Sequence, residues 1–556
     1  MSDRHFAFWP KGLPKHLTIP ETNVFYNAEV SATRYPNKPY LVFYDTPITF
    51  AEFKDECERL AGFLERECGV KKGDRVLLFT QNSPQFIIGY YATLRANAVV
   101  VPVNPMNLTD ELRHYVKDSG AKVAIVTQEL YAQAHPLVGD GLDHMIVGAY
   151  SDYLKRATDL KVPDFIRAPR QPIGDAGVTL WTDALAKNLR PGPLTAGPDD
   201  LCVMPYTSGT TGQPKGCMHT HRSTLHTIVA GAQWFGINQD AVFLAVLPFF
   251  HVTGMQGGMN GPLWLGATVI LLPRWDRDVA AQMIQRYRVS AWTAITTMVV
   301  DFLANPKVGE YDISSLTRMS GGGAAMPEAV AQTMKDKLGI TYVEGYGLSE
   351  TIAPSHINPA ERAKKQCLGI PIFDTDSRVV DPETLRELPP GEVGEIVTHG
   401  PQVFLGYWND PKKTDEAFVE IDGKRFFRTG DLGRTDADGY FFITDRLKRM
   451  INASGFKVWP AEVEAMMYQH PAIQEACVIS AQDARRGETV KAVVVLKESH
   501  RGKVAEKEIV DWAHERMAAY KVPRIVEFVD ALPKSGTGKV MWRTLQEAER
   551  AKAKSS

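Results

Sequence analysis

Three apolar runs set the terms of the fold. Arg75-Val76-Leu77-Leu78-Phe79, Ala98 to Val103 and Lys122 to Thr127 recur at helix-sized intervals, and each is continuous rather than alternating. A strand with one wetted face alternates polar and apolar residues, whereas a strand covered on both faces does not. The runs predict buried parallel strands in a layered α/β fold, with a helix over Phe50 to Cys68 leading into them. Leu201-Cys202-Val203-Met204 opens a second α/β stretch that reaches about Gly345. Residues from about Tyr131 to Pro198, rich in Pro, Gly and Asp, read as partly irregular connection between the two. From Gly391 to Thr444, pieces such as Gly394-Glu395-Ile396-Val397-Thr398 and Gly439-Tyr440-Phe441-Phe442-Ile443 stand between Gly, Asp and Pro, the texture of a β-rich subdomain. Helices near Pro460 to Gln469 and Lys507 to Ala519, with strands near Ala476 to Ser480 and Val490 to Leu496, make a compact α+β tail. A chain of 556 residues is too long for one core, so two or more domains are expected.

Several functions are disfavoured at once. A formal charge of −2 gives no basic excess for neutralising nucleic-acid phosphates. The six cysteines show no Cys-x-x-Cys spacing and no disulfide density, which fits a reducing, cytoplasmic setting. The opening residues lack the apolar run of a signal peptide, Lys554-Ser555-Ser556 is not a peroxisomal address, and no stretch is long and apolar enough to cross a bilayer. Peripheral contact with a membrane and a homodimer are both compatible with the composition, and neither has a sequence anchor.

The chemistry lies in short polar segments. Tyr206-Thr207-Ser208-Gly209-Thr210-Thr211-Gly212-Gln213-Pro214-Lys215-Gly216 follows an apolar strand with glycines, hydroxyls and a lysine, the groups that surround phosphate oxygens. It is not a Walker A loop, because Pro214 precedes the lysine and Gly216 follows it. A solvated turn is the plainer alternative. Leu532-Pro533-Lys534-Ser535-Gly536-Thr537-Gly538-Lys539-Val540 repeats the mixture and, alone, is compatible with either a solvated turn or a lysine delivered to developing negative charge. Tyr346-Gly347-Leu348-Ser349-Glu350-Thr351 sets an aromatic ring, hydroxyls and a carboxylate in one turn. Its alternative is a helix start capped by Ser349. Phe427-Arg428-Thr429-Gly430-Asp431-Leu432-Gly433 offers a turn-mounted carboxylate, or simply a turn.

In this order the segments resemble the acyl-adenylate-forming superfamily of acyl-CoA synthetases, firefly-type luciferases and peptide-synthetase adenylation domains. The resemblance covers nearly the whole chain. It includes Leu247-Pro248-Phe249-Phe250-His251, Gly322-Gly323-Ala324-Ala325-Met326-Pro327, Asp445-Arg446-Leu447-Lys448 and Ser454-Gly455-Phe456-Lys457-Val458-Trp459-Pro460. Ser349 and Ala325 stand where Thr and Pro are commoner, and neither departure removes chemistry. The resemblance implies a large N-terminal domain over 1–445, built of α/β subdomains and a β-rich subdomain, a hinge over 446–448 pivoting on Lys448, and a small mobile C-terminal α+β domain over 449–556 that carries Lys539.

It further implies an ATP-dependent carboxylic acid:CoA ligase, closest to medium- and long-chain fatty acyl-CoA synthetases, that forms acyl-AMP with Mg²⁺ and then transfers the acyl group to coenzyme A. Thr207, Ser208, Gly209, Thr210, Thr211, Gly212 and Lys215 would hold the pyrophosphate end of ATP. Gly322, Gly323, Ala324, Tyr346 and Gly347 would form the adenine slot. Ser349 would meet the α-phosphate, Glu350 the metal, and Asp431 with Arg446 the ribose. Lys539, Glu350 and Thr207 would be catalytic, and Gly455 would approach CoA. His251, Met255, Gly257, Met298 and Gly321 would line the acyl site, although a lone histidine such as His251 is by itself more often a packed core residue than a catalyst. The acyl-site segments contain no Lys or Arg, which disfavours a second carboxylate on the substrate. Glycines at 254, 257 and 258 are expected to leave volume there for a fatty acid or an aryl acid. Against these readings stand a carrier-protein acceptor, for which no carrier module follows Lys539, and a nucleotide-binding regulator without catalysis.

Overall fold

The structure, a computed structural model, describes residues 3–207, 213–322, 326–446, 449–453, 456–483, 487–535 and 540–555, apart from the side chains of 446, 452, 456, 457, 487 and 553–555. The chain forms two compact units, Met1–Ser377 with Thr398–Phe427 and Arg378–Val397 with Arg428–Ser556.

The three apolar runs are the centre of a seven-stranded sheet in the first unit. Its order is His219–Thr220, Leu201–Val203, Val99–Pro102, Arg75–Phe79, Val123–Thr127, His144–Gly148, Val178–Leu180. All pairs are parallel except the one at the His219–Thr220 edge. Side chains divide by parity along Arg75–Phe79. Val76 and Leu78 enter one core, while Leu77 and Phe79 enter another with Leu112, Tyr115 and Val116 of the Thr109–Ser119 helix. Both faces are dry, which is why the runs are continuous. The strand order reverses at Arg75–Phe79, so Thr80 to Ser83 occupy the kind of crevice where α/β sheets place ligands. Ser83 then caps the Pro84–Arg95 helix by accepting from Phe86 N, with proline at the first helical position.

The segment from Tyr131 to Pro198 corrects the expectation of irregular connection. It supplies the parallel strands His144–Gly148 and Val178–Leu180 and the helix Trp181–Ala186. Only Met145, Ile146 and Val147 are apolar in the first of these, and glycines flank it, so turn signals dominate locally. The strand exists because Val123–Thr127 offers it a ladder in which Ile125 pairs Ile146.

A nine-stranded sheet follows the order Ile370–Pro371, His356–Ile357, Tyr342–Tyr346, Arg318–Gly322, Ala291–Thr293, Val242–Ala245, Thr268–Leu271, Pro39–Phe43, Thr46–Thr49. Its six strands from Tyr342–Tyr346 to Pro39–Phe43 are parallel. The second α/β stretch therefore begins at Val242 rather than Leu201, because Leu201–Val203 belongs to the first sheet. The expected helix is Phe50–Arg66, opened by a reciprocal capping box between Thr49 and Glu52. The facing sides of the two sheets share one core, in which Leu78 and Ile125 join Leu244, Ile270 and Trp292.

In the β-rich stretch, Phe418–Ile421 and Phe441–Arg446 pair antiparallel with the long strand Lys424–Thr435. Within the second unit lies a sheet in the order Phe456–Val458, Ile451–Ala453, Gly487–Leu496, Ile473–Asp483, with Ile525–Phe528 parallel to Gly487–Leu496. The helices expected there are Pro460–Met467 and Glu506–His514, slightly shorter than the pattern suggested. Among the described residues no helix is long and apolar enough to cross a membrane.

Candidate active site

Thr207 and Lys215 are direct partners across a two-stranded antiparallel ladder, and Gly216 faces Tyr206. Ser208, Gly209, Thr210, Thr211 and Gly212 lie outside the described residues. The base of the loop rests on the Thr109–Ser119 helix. Tyr206 Oη donates to Asp118 Oδ2 at 2.6 Å, and His114 Nε2 donates to the Pro214 carbonyl at 2.8 Å. The Tyr206 and Tyr115 rings stand 4.6 Å apart. Burial and the neighbouring Asp118 push the Tyr206 phenol upward, so it keeps its proton and donates. Trp408 Nε1 in turn donates to the Asp118 carbonyl at 2.9 Å. A Cβ on Gly216 would stand 2.8 Å from Met204 Cγ, which explains a glycine at the end of the loop.

The Tyr346 segment begins at the carboxyl ends of two parallel strands, where Gly321 pairs Glu344 and Gly322 pairs Gly345. Side chains are impossible at both glycines. A Cβ would fall 1.9 Å from the Ala294 carbonyl oxygen at Gly321 and 2.3 Å from the Gly345 oxygen at Gly322. Tyr346 is buried with its ring 5.5 Å from that of His356, and Gly347 lets the next turn close on Ala353. Gly323 and Ala324 lie outside the described residues. Ser349–Thr351 is a single 3₁₀ turn whose capping hydroxyl belongs to Thr351, which accepts from Leu348 N at 2.9 Å. The alternative in which Ser349 caps a helix is thereby removed.

That turn is gripped from three sides. His219 Nε2 meets the Ser349 carbonyl at 2.7 Å, and Phe404 N donates to the Glu350 carbonyl at 2.8 Å. Tyr407 Oη donates to Glu350 Oε1 at 2.9 Å. Burial holds the His219 imidazole down at about 4, so it is neutral, and the carbonyl acceptor requires the proton on Nε2. Burial and Glu350 keep the Tyr407 phenol protonated. Lys215 Nζ lies 5.0 Å from the centroid of the same Tyr407 ring. The structure thus brings the lysine of the first loop and the carboxylate of the Tyr346 segment to one side chain. The next residues, Ile352 and Ala353, hold φ of +43° and +31°, a left-handed backbone that side chains disfavour and that marks strain beside the site.

Among the described residues no group of three or more His, Cys, Asp or Glu could by itself hold a metal. The half-buried Glu350 carboxylate, oriented by Tyr407, fits the usual Mg²⁺ arrangement of one hard oxygen from protein and the rest from phosphate and water.

Among the residues expected to line an acyl site, His251 precedes the Val252–Met255 turn, with Nδ1 accepting from Thr253 N at 3.3 Å. Met255 is wholly buried, and Met298 is half-buried against the core. The expected volume beside the glycines is not there. A Cβ on Gly254 would lie 2.3 Å from the Pro248 carbonyl oxygen, one on Gly257 would lie 3.0 Å from Thr293 Oγ1, and one on Gly258 would lie 3.0 Å from the Phe249 ring. These glycines permit close approach of backbone to neighbours rather than opening space. The chain continues through a π-helical turn, Gln256–Asn260, a geometry frequent at functional sites.

In the second unit, Asp431 is buried and pairs Arg446 across the antiparallel ladder. Its turn is held by Glu395, whose Oε2 takes Arg428 Nε at 2.9 Å and Nη2 at 2.5 Å while Oε1 accepts from Gly430 N at 3.2 Å. Lys448, Gly455, Lys539 and the Arg446 side chain lie outside the description. Around the first of these, Asp445 Oδ2 accepts from Ala461 N at 2.7 Å, and Arg449 pairs with Glu464 on the same Pro460–Met467 helix. Around Lys539, Lys534 and Val540 form an antiparallel bridge, Met541 N donates to the Pro533 carbonyl at 2.7 Å, and Leu532 is buried with Cys477 and Ile479.

Asp118, His219, Tyr407 and Glu395 were not singled out in the sequence. Only Tyr407 carried a local signal, an aromatic pair with Trp408 set among Gly406, Asn409 and Asp410.

The AMP-binding enzyme family model matches residues 28–408, and that of the AMP-binding enzyme C-terminal domain matches residues 462–539. The chain is 36% identical over 553 residues to a long-chain-fatty-acid–CoA ligase of Bacillus subtilis, covering 98% of this chain and 97% of the relative. It is also 36% identical over 499 residues to a feruloyl-CoA synthase of Amycolatopsis sp, covering 89% and 93%. Its fold is similar to that of the anthranilate CoA ligase AuaEII solved with anthranoyl-AMP, with a TM-score of 0.82, 27% identity and coverage of 97% and 99%.

Proposed function

The chain belongs to the AMP-binding enzyme family, and from that premise we propose that it joins a carboxylic acid to coenzyme A at the expense of ATP, releasing pyrophosphate and AMP. The observation that carries this reading is the meeting of Lys215 and Glu350 on Tyr407, beside the buried Tyr346 at the carboxyl end of its strand.

A carboxylate is a poor acyl donor because oxide is a poor leaving group. Attack by its oxygen on the α-phosphorus of ATP expels pyrophosphate and gives an acyl-AMP, whose AMP leaves when the CoA thiol attacks the carbonyl. The acid is its own nucleophile, so the protein's task is to cancel charge and to orient the reactants. In this reading Thr207, the loop 208–212 and Lys215 hold the phosphates, while Tyr346, Gly347 and Gly322 to Ala324 frame the adenine. Ser349 meets the α-phosphate, Asp431 and Arg446 take the ribose, and Lys539 stabilises the charge of the first transfer. Glu350 is the residue that would hold Mg²⁺, which supplies charge neutralisation at the phosphates when bound. Residues 1–445 bind ATP and acid, and 449–556 turn about Lys448 to exchange Lys539 for the Gly455 loop beside CoA. We place the reaction in the cytoplasm, with a homodimer and peripheral membrane contact as the assemblies to test.

For the acid, a medium- or long-chain fatty acid is our first reading. The segments around His251, Met255, Gly257, Met298 and Gly321 carry no Lys or Arg, and each buried methylene contributes about 0.8 kcal/mol. The equal identity to a feruloyl-CoA synthase supports an aryl acid as the second. Turnover with ATP and CoA across acetate, octanoate, palmitate, benzoate and cinnamate separates them. Best activity with acetate would refute both, and no acid-dependent pyrophosphate release would leave a nucleotide-binding protein without catalysis.

A further inference from the structure

Asn82 is 4% exposed and lies in the turn after Arg75–Phe79, at the carboxyl end of the central strand of the seven-stranded sheet. Its side chain reaches the turn after Val242–Ala245, at the carboxyl end of a strand of the nine-stranded sheet. Asn82 Nδ2 donates to the Leu247 carbonyl at 2.8 Å, and its Oδ1 accepts from Phe249 N at 2.8 Å. One donor and one acceptor on a single planar group satisfy two main-chain groups two residues apart. Aspartate has no donor for the first, and leucine of similar size offers neither.

Both ends of this clamp are rigid. On its own side, Gln81 N donates to Tyr150 Oη at 3.0 Å, and Ser83 caps the following helix. On the far side, the gripped segment leads directly to His251, whose N donates to the Pro248 carbonyl at 3.2 Å and whose carbonyl accepts from Met255 N at 3.0 Å. Gly254 is pressed against the same two carbonyls that flank the clamp, with its would-be Cβ 2.3 Å from the Pro248 oxygen and 2.6 Å from the Leu247 oxygen. The segment from Leu247 to Met255 therefore has little room to slide, and the place of the imidazole follows from where Leu247 and Phe249 are held.

We propose that Asn82 is a positioning residue of the acyl site, fixing His251 through the backbone of Leu247 to Phe249 and thereby setting which acids bind. This rests on the reading that His251 lines the acyl site. Nothing in the sequence joins the two residues, and neither sheet alone would place them together.

A mutant cycle tests it in the full-length chain, measuring KM for acid and for ATP, kcat and Tm for Asn82→Ala, His251→Ala and the double variant. Asn82→Gln, which keeps both hydrogen-bonding groups but lengthens the arm by one methylene, is a second probe should the alanine variant not fold. The expected result is an acid KM raised roughly tenfold in Asn82→Ala with ATP KM within about twofold, since two buried main-chain groups lose their partner. Asn82→Gln should likewise change the ranking of octanoate, palmitate, benzoate and cinnamate. In the His251→Ala background, Asn82→Ala should add nothing further to the acid KM. Acid and ATP KM rising together with a lowered Tm, an acid KM in the double variant equal to the product of the single effects, or an unchanged acid ranking in Asn82→Gln would each overturn the proposal. An unchanged acid KM and ranking in His251→Ala would instead strike the acyl-site reading itself.

Discussion

The two loops that mix glycine, hydroxyls and lysine look interchangeable in sequence and are built differently. In the first, the lysine is part of the closing ladder, with Lys215 opposite Thr207 and its ammonium over the Tyr407 ring. In the second, the closing bridge joins Lys534 to Val540, and Lys539, the residue before Val540 in sequence, lies outside the described residues. The supports differ as well. Tyr206, Asp118 and His114 fasten the first loop by polar bonds, whereas the flanks of the second are fastened by apolar packing of Leu532, Val540 and Trp542 together with the ion pair of Lys534 and Glu475. A lysine fixed in a ladder suits standing charge on a bound phosphate. The proposed role of Lys539, by contrast, is with charge present in only one step.

The strongest way to break this comparison is Lys539→Ala. We expect acyl-AMP formation to fall by about 10³-fold or more, as when an oriented charge stabiliser is removed, with supplied acyl-AMP still converted to thioester. Equal damage to both half-reactions would make the two lysines alike.

The next contrast is acid sensitivity. In the first unit burial holds His219, His221 and His226 at about 4 and His356 at about 3, against 6.5 in an unfolded chain. A depressed histidine is neutral when folded, so the unfolded chain binds the extra proton. Stability is therefore full above pH 6.5 and declines as pH falls from 6.5 toward 4, by at most about 3 kcal/mol for each of the first three, and on toward 3, by at most about 5 kcal/mol, for His356. Denaturant midpoints that hold constant from pH 7 to 5 would contradict it, and His219→Gln should reduce the slope.

Lys448→Pro addresses the proposed step in which Lys539 is exchanged for the Gly455 loop. Restricting φ there should slow thioester formation by roughly tenfold while adenylation changes little. Stopped-flow measurement of the two half-reactions distinguishes this from a general loss. The smallest effect expected is that of Tyr206→Phe, which removes only the bond to Asp118. ATP KM should rise about fivefold, with acid KM unchanged, the size of one lost hydrogen bond. The matching change in the second loop, Lys534→Met, should leave ATP KM alone.

Much of this was legible in the chain. The parallel strands at 75–79, 99–102 and 123–127 announced themselves because a strand buried on both faces must be apolar throughout. His144–Gly148 did not, since its identity as a strand comes from the neighbour it pairs with. Likewise Thr207, Lys215 and Glu350 stood out in the sequence as candidate chemistry, but Tyr407, which gathers the last two, belongs to a distant turn and had to be seen in place. Gly254, Gly257 and Gly258 show the opposite failure. A missing side chain signals either room or crowding, and composition cannot tell which.

Asp445 and Arg449 bracket residues 446–448 and are both bound to the Pro460–Met467 helix, one through Ala461 and the other through Glu464. Bonds and backbone together close a ring that contains the intended pivot. If the chain turns at Lys448 as proposed, the motion is a ring-opening event that must release the bond from Ala461 N to the Asp445 carboxylate. Releasing that latch costs about 1 to 3 kcal/mol, which tighter binding of an intermediate to the proposed second orientation would have to offset.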